Sequence, residues 1–505
     1  MTTHNEHAHV EESARDAETH AAGQSVLRGA VPRYSFYALG VLSLVNFLNY
    51  IDRQVLPAVA PIMLEDKALN LTDAELGYME AALLLSFTIL APIFGRLGDR
   101  YPRAKLMATA AVLWSIATAM TGLVESFPFL PGALRLHVPV VNVTLALSGV
   151  ALALCAVRAC VGVGESAYST ITPSLIADYF PPHRRATALG VFQAAIPMGF
   201  ALGFVIGGVL AHFFGWRVAF MIVGVPGLLT AVLVWRLREP KRGATDEPHH
   251  ARVEGVLEES LETPAEVSKA LAEAEPKELP LTAGIARIIG SRDWLISTAG
   301  YTALTAALGA FATWATVVLV RDKGMNETSA AITLGVVTLL AGATGTFGGG
   351  WIADRFAAKR HNAYFLVCAV GTLLGVFPTF FVLAADSPYI FLPCVFLAVT
   401  LLFVSNAPFH AILLESVPVG VRAMAVALNI VVIHACGDAI SRALVGVLSD
   451  SLKEGHFAAL SALASTLGIE SGRQHLTTAL LIAPFALIIS TSLFFLGAKL
   501  QKQKY

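Results

Sequence analysis

Twelve stretches of about twenty or more predominantly apolar residues follow one another along the 505-residue sequence, parted by polar loops. They fall near 36–62, 76–97, 104–124, 144–168, 186–213 and 217–237, then near 294–319, 329–352, 362–385, 389–413, 423–448 and 476–498. Roughly 20 residues of α-helix cross a hydrocarbon core. Lipid offers the backbone no hydrogen-bond partners, so a helix is the form such a segment takes. Pro57, Pro92, Pro197 and Pro226 lie inside these stretches; a soluble helix tolerates them badly, whereas neighbouring membrane helices re-satisfy the freed groups. The composition agrees, with 55% hydrophobic and 14% charged residues, and a net charge of -1 gives no electrostatic footprint for nucleic acid. The expected fold class is all-α integral membrane, twelve transmembrane helices in two bundles of six.

Two segments interrupt the pattern. Residues 1–35 are polar and carry His4, His7, His9 and His20; they read as a disordered cytoplasmic tail rather than a signal peptide. Residues 238–282 are charged and Pro-bearing and read as a cytoplasmic linker between bundles at 36–237 and 283–498, with 499–505 as a second tail. Arg96, Arg100, Arg103, Lys105, Arg184, Arg185, Arg236, Arg238, Lys241, Arg242, Lys359, Arg360, Lys499, Lys502 and Lys504 all fall on the side of the termini. The positive-inside rule makes that side cytoplasmic, in a plasma or bacterial inner membrane. Cys155, Cys160, Cys368, Cys394 and Cys436 lie in apolar segments without ligand-like spacing, so they read as small hydrophobes and no metal or cofactor is expected. Asn-x-Thr triplets at Asn70, Asn142 and Asn326 are frequent enough by chance to establish nothing.

The two halves echo each other. GRLGDRYPRAK (Gly95–Lys105) after the second span is matched by GWIADRFAAKR (Gly350–Arg360) after the eighth, and DYFPPHRRATAL (Asp178–Leu189) after the fourth by ESVPVGVRAMAV (Glu415–Val426) after the tenth. Both pairs fall at equivalent helix numbers, the mark of an internal repeat. Two parallel six-helix repeats describe a two-domain transporter.

Gly95-x-Leu97-x-Asp99-Arg100-x-x-Arg103 resembles the loop signature of the major facilitator superfamily, with Pro102 and Ala104 as departures from it. Within that superfamily, Asn49-Tyr50-Ile51-Asp52-Arg53 and Arg158-Ala-Cys-Val-Gly-Val-Gly164-Glu165-Ser-Ala resemble the spinster family of sphingolipid and lysophospholipid transporters. The organic anion:cation symporters share the first string; the second favours spinster. Gly162 and Gly164 stand in an apolar span with no strand before them, which suits close helix contact better than a nucleotide loop.

The charges inside the spans carry the mechanism. A centrally placed Asp or Arg costs roughly 2.5–3.5 kcal/mol unless it faces protein, a partner or water. Asp52 and Arg53 sit in mid-span, and Arg158 and Glu165 are seven residues apart, hence on one helix face about 10 Å apart. The resemblance implies that the first and fourth helices line a central cavity where these four can meet. A carboxylate whose arginine partner leaves during alternating access can take up a proton, so Asp52, Glu165, Arg53 and Arg158 are the expected proton-coupling set, set against a purely structural salt bridge. The planar fork of Arg158 also suits a phosphate or carboxylate head. Asn46, Asn49, Tyr50, Tyr168, Gln193, Asn406, His410, Asn429 and His434 are further candidates for substrate binding, weighed against packing roles. Asp438 and Arg442, four apart, are expected to pair within their own helix. Asp99, Arg100 and Arg103, with Asp354 and Arg355 in the second copy, are expected to latch the inner side when it is closed.

A membrane enzyme would need metal-spaced or nucleophile–base clusters, and an ATP-driven pump a Gly-x4-Gly-Lys-Ser/Thr loop; neither occurs in the sequence. The expectation is therefore a monomeric, proton-linked secondary transporter of an amphipathic lipid such as a lysophospholipid or sphingolipid. The alternatives are a proton-coupled symporter of small organic anions and a facilitative uniporter.

Overall fold

The computed structural model describes residues 31–126, 132–138, 143–242, 281–357, 359–360, 362–418, 421–470 and 472–504. Most of the tail expected at 1–35, most of the linker expected at 238–282, and Asn142 lie outside the described residues; of the expected tail, Arg33 to Ser35 already belong to the first helix. Eleven helices among them are long and apolar enough to cross a membrane, and one, Thr187–Trp235, has double length. It breaks at Gly215, whose φ of 80° and ψ of 159° belong to no helix and suit a residue without Cβ. The described residues therefore offer twelve crossings by length and apolarity.

The first half comprises α1 (Arg33–Glu65), α2 (Asp73–Arg100), α3 (Arg103–Thr121), α4 (Gly149–Tyr179) and the double-length α5 (Pro182–Trp235). The second begins with the short α6 (Leu281–Ile289), then α7 (Arg292–Val317), α8 (Glu327–Ala357) and α9 (Ala363–Ala384). Its tenth crossing is made of α10 (Pro388–Phe403) and α11 (Asn406–Glu415), its eleventh of α12 (Arg422–Val432) and α13 (Ile440–Lys453). After α14 (Ala458–Thr466), the twelfth is α15 (His475–Ala479) with α16 (Ile482–Lys504). We call the side on which α1 begins the base and the other the top.

Helix starts are written locally. Thr72 and Glu75 form a capping box at α2, their side chains bonding each other's backbone amides; Ser148 and Ser291 cap α4 and α7. The fourth crossing departs from the sequence expectation at both ends. Residues Val143–Leu147, all but the first expected inside the helix, pair antiparallel with Leu134–Val138, Leu134 opposite Leu147. The helix waits for its Ser148 cap and then runs on to Tyr179. The apolar run was continuous, and hydropathy alone does not separate a strand from a helix turn. Two crossings also widen into π-helical turns, at Val318–Asp322 and Ile433–Ala439.

The first half packs around Trp114, Tyr168 and Phe180, the second around Phe365, Phe409 and Phe494. At the top the halves share a core of Ala60, Leu76, Ala310, Trp314 and Leu448. Gly162 and Gly164 do bring helices together: a Cβ at Gly162 would collide with the Leu83 carbonyl of α2, and one at Gly164 would lie 2.6 Å from the Ala110 oxygen of α3. The five cysteines are free.

Candidate functional site

Three features define the site: a buried charge cluster in the first half, a cavity that the second half lines together with the first crossing of α5, and a seam of ion pairs between the halves.

In the first half α1 and α4 meet through Arg53, whose Nε donates to Glu165 Oε2 at 2.5 Å. The Arg53 guanidinium also lies over the rings of Tyr50 and Phe87, 5.2 and 4.9 Å from their centroids. Such a contact stabilises a desolvated cation by about 2 kcal/mol. Asp52 is 2% exposed. Neither of its oxygens has a hydrogen-bond partner among the described residues, nor has Glu165 Oε1. Asp52 stands within the electrostatic reach of Glu165 and Arg158. Arg158 turns the other way: its Nη2 donates to Glu80 Oε1 on α2 at 2.9 Å, while its Nε and Nη1 are buried without a partner.

The seam runs along α2 and α13. Glu80 accepts a second bond from Arg442 Nη1 of the other half at 2.5 Å. Arg442 Nε reaches Asp438 Oδ1 at 3.0 Å, the intrahelical pair expected from the spacing, and His434 Nδ1 lies 3.4 Å from Asp438 Oδ2. At the top, Asp73 is 1% exposed and gathers Arg321 Nη1 at 3.0 Å, Lys453 Nζ at 2.8 Å and Ser449 Oγ at 2.6 Å, all from the second half. The Ala74 amide donates to Asp450 Oδ2 at 2.7 Å, and the Thr316 hydroxyl to the Pro57 carbonyl. These bonds close the top. At the base, Asp99, Arg100, Asp354 and Arg355 are exposed. Arg103 instead is buried and ties its own half together, with Asp178 at 2.6 Å and Glu239 Oε1 at 3.1 Å, while Arg242 Nη2 donates to the Gly98 carbonyl at 2.7 Å.

The cavity, of about 260 Å³, lies among α7, α8, α10 and the first crossing of α5. Its walls are apolar, with Phe200, Phe204, Phe311 and Phe403 among them, and its charge is confined to Asp438 and Arg442. None of the residues expected from the sequence to bind substrate lines it. Tyr168 is fully buried, its hydroxyl donating to the Leu42 carbonyl at 2.5 Å and its ring set edge-on to Trp114. Asn46 Nδ2 is committed to the Phe192 carbonyl at 3.0 Å. Asn49 is buried beside the Arg53–Glu165 pair, and Asn429 is buried on α12. Asn406 accepts from the Tyr301 hydroxyl at 2.8 Å, and Tyr301 stacks on Phe409. Gln193 and His410 are exposed, and His434 faces Phe87 across the seam. The sequence reading sought polar residues in spans, whereas this cavity is walled by residues that look like any lipid-facing helix. Glu80 was missed although it carried the same signal as Asp52, a carboxylate in a spanning segment. Asp73 carried no such signal, because it stands at the edge of a loop.

Comparisons with known proteins agree with this architecture. The family model described as Major Facilitator Superfamily matches residues 42–441. Protein spinster homolog 3 of Danio rerio is 31% identical over 438 residues, covering 84% of this chain and 78% of the relative. The sphingosine-1-phosphate transporter SPNS2 of Danio rerio is 31% identical over 488 residues, covering 92% and 85%. Among solved structures, a bacterial homolog to the human lysosomal transporter Spinster, in an inward-facing and occupied conformation, superposes with a TM-score of 0.72 at 20% identity, covering 93% of this chain and 98% of that one. The match spans both halves and their seam, and the chain belongs to the major facilitator superfamily and, within it, to the spinster family of membrane transporters.

Proposed function

We propose that this transporter carries an amphipathic lipid with an anionic head, such as a lysophospholipid or sphingolipid phosphate, by alternating access linked to protons. The observation that carries the reading is the cavity: a hydrocarbon tail finds apolar walls there, and a head group finds Arg442 at their edge. Burying a tail contributes about 0.8 kcal/mol per CH2, so tail length sets affinity and the arginine sets orientation. A small hydrophilic anion would gain nothing from those walls. The name of the SPNS2 relative, a transporter of sphingosine-1-phosphate, supports the same substrate class.

Asp52 and Glu165 are the proton sites in this reading, with Arg53 the partner that Glu165 gains and loses. A carboxylate paired in one conformation and wetted in the other binds protons differently in each, and that difference couples the proton to the transition. The bundles at 36–237 and 283–498 move against each other as a monomer, with the base facing the cytoplasm because the Lys and Arg of the short loops gather there. The Asp99 and Arg100 charges, exposed in this top-closed state, re-engage when the base closes.

Saturable uptake into proteoliposomes across a panel of lysolipids of graded tail length and small organic anions tests the substrate. Uptake that grows tighter with tail length is expected. Uptake of the small anions alone would overturn the lipid reading.

A further inference from the structure

Glu80 sits where two arginines from opposite halves converge. Arg158 of α4 and Arg442 of α13 each donate to a different oxygen of its carboxylate, at 2.9 and 2.5 Å. Glu80 is 4% exposed and Arg158 1%. The arrangement is an anion site already filled by the protein's own carboxylate. It also has capacity to spare, since Arg158 Nε and Nη1 are buried donors without a partner. Arg442 at the same time edges the apolar cavity and shares its guanidinium with Asp438 on its own helix.

We propose that Glu80 is a resident occupant of this two-arginine site, which a phosphate or carboxylate head displaces from Arg442 when substrate enters the cavity. The inference rests on the reading of the cavity as the substrate site and adds a consequence to it. Glu80 with Arg442 is a tie between the halves at mid-depth, below the Asp73 cluster at the top. A head group that takes Arg442 releases that tie, while Glu80 keeps Arg158 and stays neutralised. The empty carrier is thereby held closed at the top and the loaded one is freed to open. Two anions, the Glu80 carboxylate and the head group, competing for one guanidinium fork give the exchange its selectivity, because a neutral head cannot replace Glu80.

The test uses a cysteine-free protein carrying Ala60→Cys, a reporter in the top seal where Ala60 is fully buried between the halves. Without substrate, Glu80→Gln is expected to raise labelling of that cysteine by a membrane-impermeant maleimide several-fold. Glu80→Asp keeps the charge but is one methylene too short for both arginines, so it should do the same in part. Binding to the purified protein is measured with lysophosphatidic acid, a monoacylglycerol and inorganic phosphate. Glu80→Gln should tighten lysophosphatidic acid about tenfold and leave the monoacylglycerol unchanged. Tightened binding of inorganic phosphate as well would place the selectivity in the head alone. Labelling at the wild-type level in both Glu80 variants would overturn the tie, whatever the substrate proves to be. If Glu80→Gln does not fold and Glu80→Asp labels as wild type, Glu80 is a structural pillar and the inference fails. Equal affinity changes for charged and neutral amphiphiles would overturn the exchange. If labelling rises but neither amphiphile binds wild type or variant, the substrate reading fails and the exchange with it, leaving the tie.

Discussion

The two halves share one fold and have put different things inside it. The first half fills its centre with charge: Arg53 on Glu165, Arg158 on Glu80, and Asp52 between them. The second keeps a cavity beside it, walled by phenylalanine and aliphatic side chains that include Phe200 and Phe204 of the first half, with Asp438 and Arg442 at its rim. A packed ion cluster holds its members in fixed geometry, whereas an apolar cavity can adapt to the shape of what enters it. On the function proposed above, the first half would sense protons and the cavity would hold cargo, with the Glu80–Arg442 pair one of the contacts that join them.

That division predicts unequal consequences for damage. Glu165→Ala should be the most costly single change, because it leaves the Arg53 charge buried without its carboxylate; such losses run to about 3–5 kcal/mol. Thermal unfolding in detergent reads this directly. Glu165→Gln should unfold later and, in proteoliposomes, leave exchange intact while abolishing acceleration by a pH gradient. Retained acceleration in Glu165→Gln and in Asp52→Asn together would remove the proton role from the first half.

Asp73→Asn comes next. It removes the charge that holds Arg321 and Lys453 at the top, and hydrogen bonds to charged groups contribute about 1.5–3 kcal/mol each. The expected outcome is a shift toward the top-open state, seen as maleimide access to Ala60→Cys, with little loss of folded protein. Unchanged access would mean that the apolar core around Trp314 alone closes the top.

Filling the cavity should be gentler and should spare the proton response. Ala312→Phe is expected to raise the KM for a lysolipid about tenfold, or about 1.4 kcal/mol, while pH-gradient sensitivity remains. Loss of both together would contradict the separation of the two regions.

The smallest effect belongs to a cluster outside both. Asp66, in the loop after α1, is bonded by the Trp216 indole at 2.9 Å and by Arg217 at 2.8 Å, and Arg217 also reaches Glu125. Partial burial raises the Asp66 carboxyl, but the Trp216, Ala68 and Arg217 donors outweigh it and hold the group below its usual value. Its stabilisation is therefore present above the unfolded pKa of about 3.9 and is lost as the pH falls through the lower folded value. Asp66→Asn should cost about 1 kcal/mol or less at neutral pH and nothing in transport; a change in transport would tie this loop to the working cycle.

Much of this architecture was legible in the sequence because lipid simplifies the problem. Spanning length, loop charge and the repeated Gly-x-x-x-Asp-Arg loops led to twelve crossings and a family. Asp52, Arg53, Arg158 and Glu165 stood out because each is costly in an apolar run, and the structure gathers them near one another. What stayed hidden was pairing. Seven-residue spacing put Arg158 and Glu165 on one helix face without saying which partner each takes; those partners come from α2 and α1, and no single-helix argument contains that fact. The cavity was hidden for the opposite reason: Phe200, Leu334 and Val395 face it with the same side chains that other helices turn to lipid.

The turn at Gly215 has a mechanical meaning. It presents Phe213 and Phe214, 71% and 59% exposed, where α5 doubles back at the top. Lifting these apolar rings out of hydrocarbon into water costs about 1.5–3 kcal/mol each, so this corner resists upward travel of the first half. A molecule moored at that edge can rock only by swinging its other side. A spin label beside Gly215 should keep a constant immersion depth through the cycle while one on α14 rises and falls; equal excursions at both would show that the mooring does not hold.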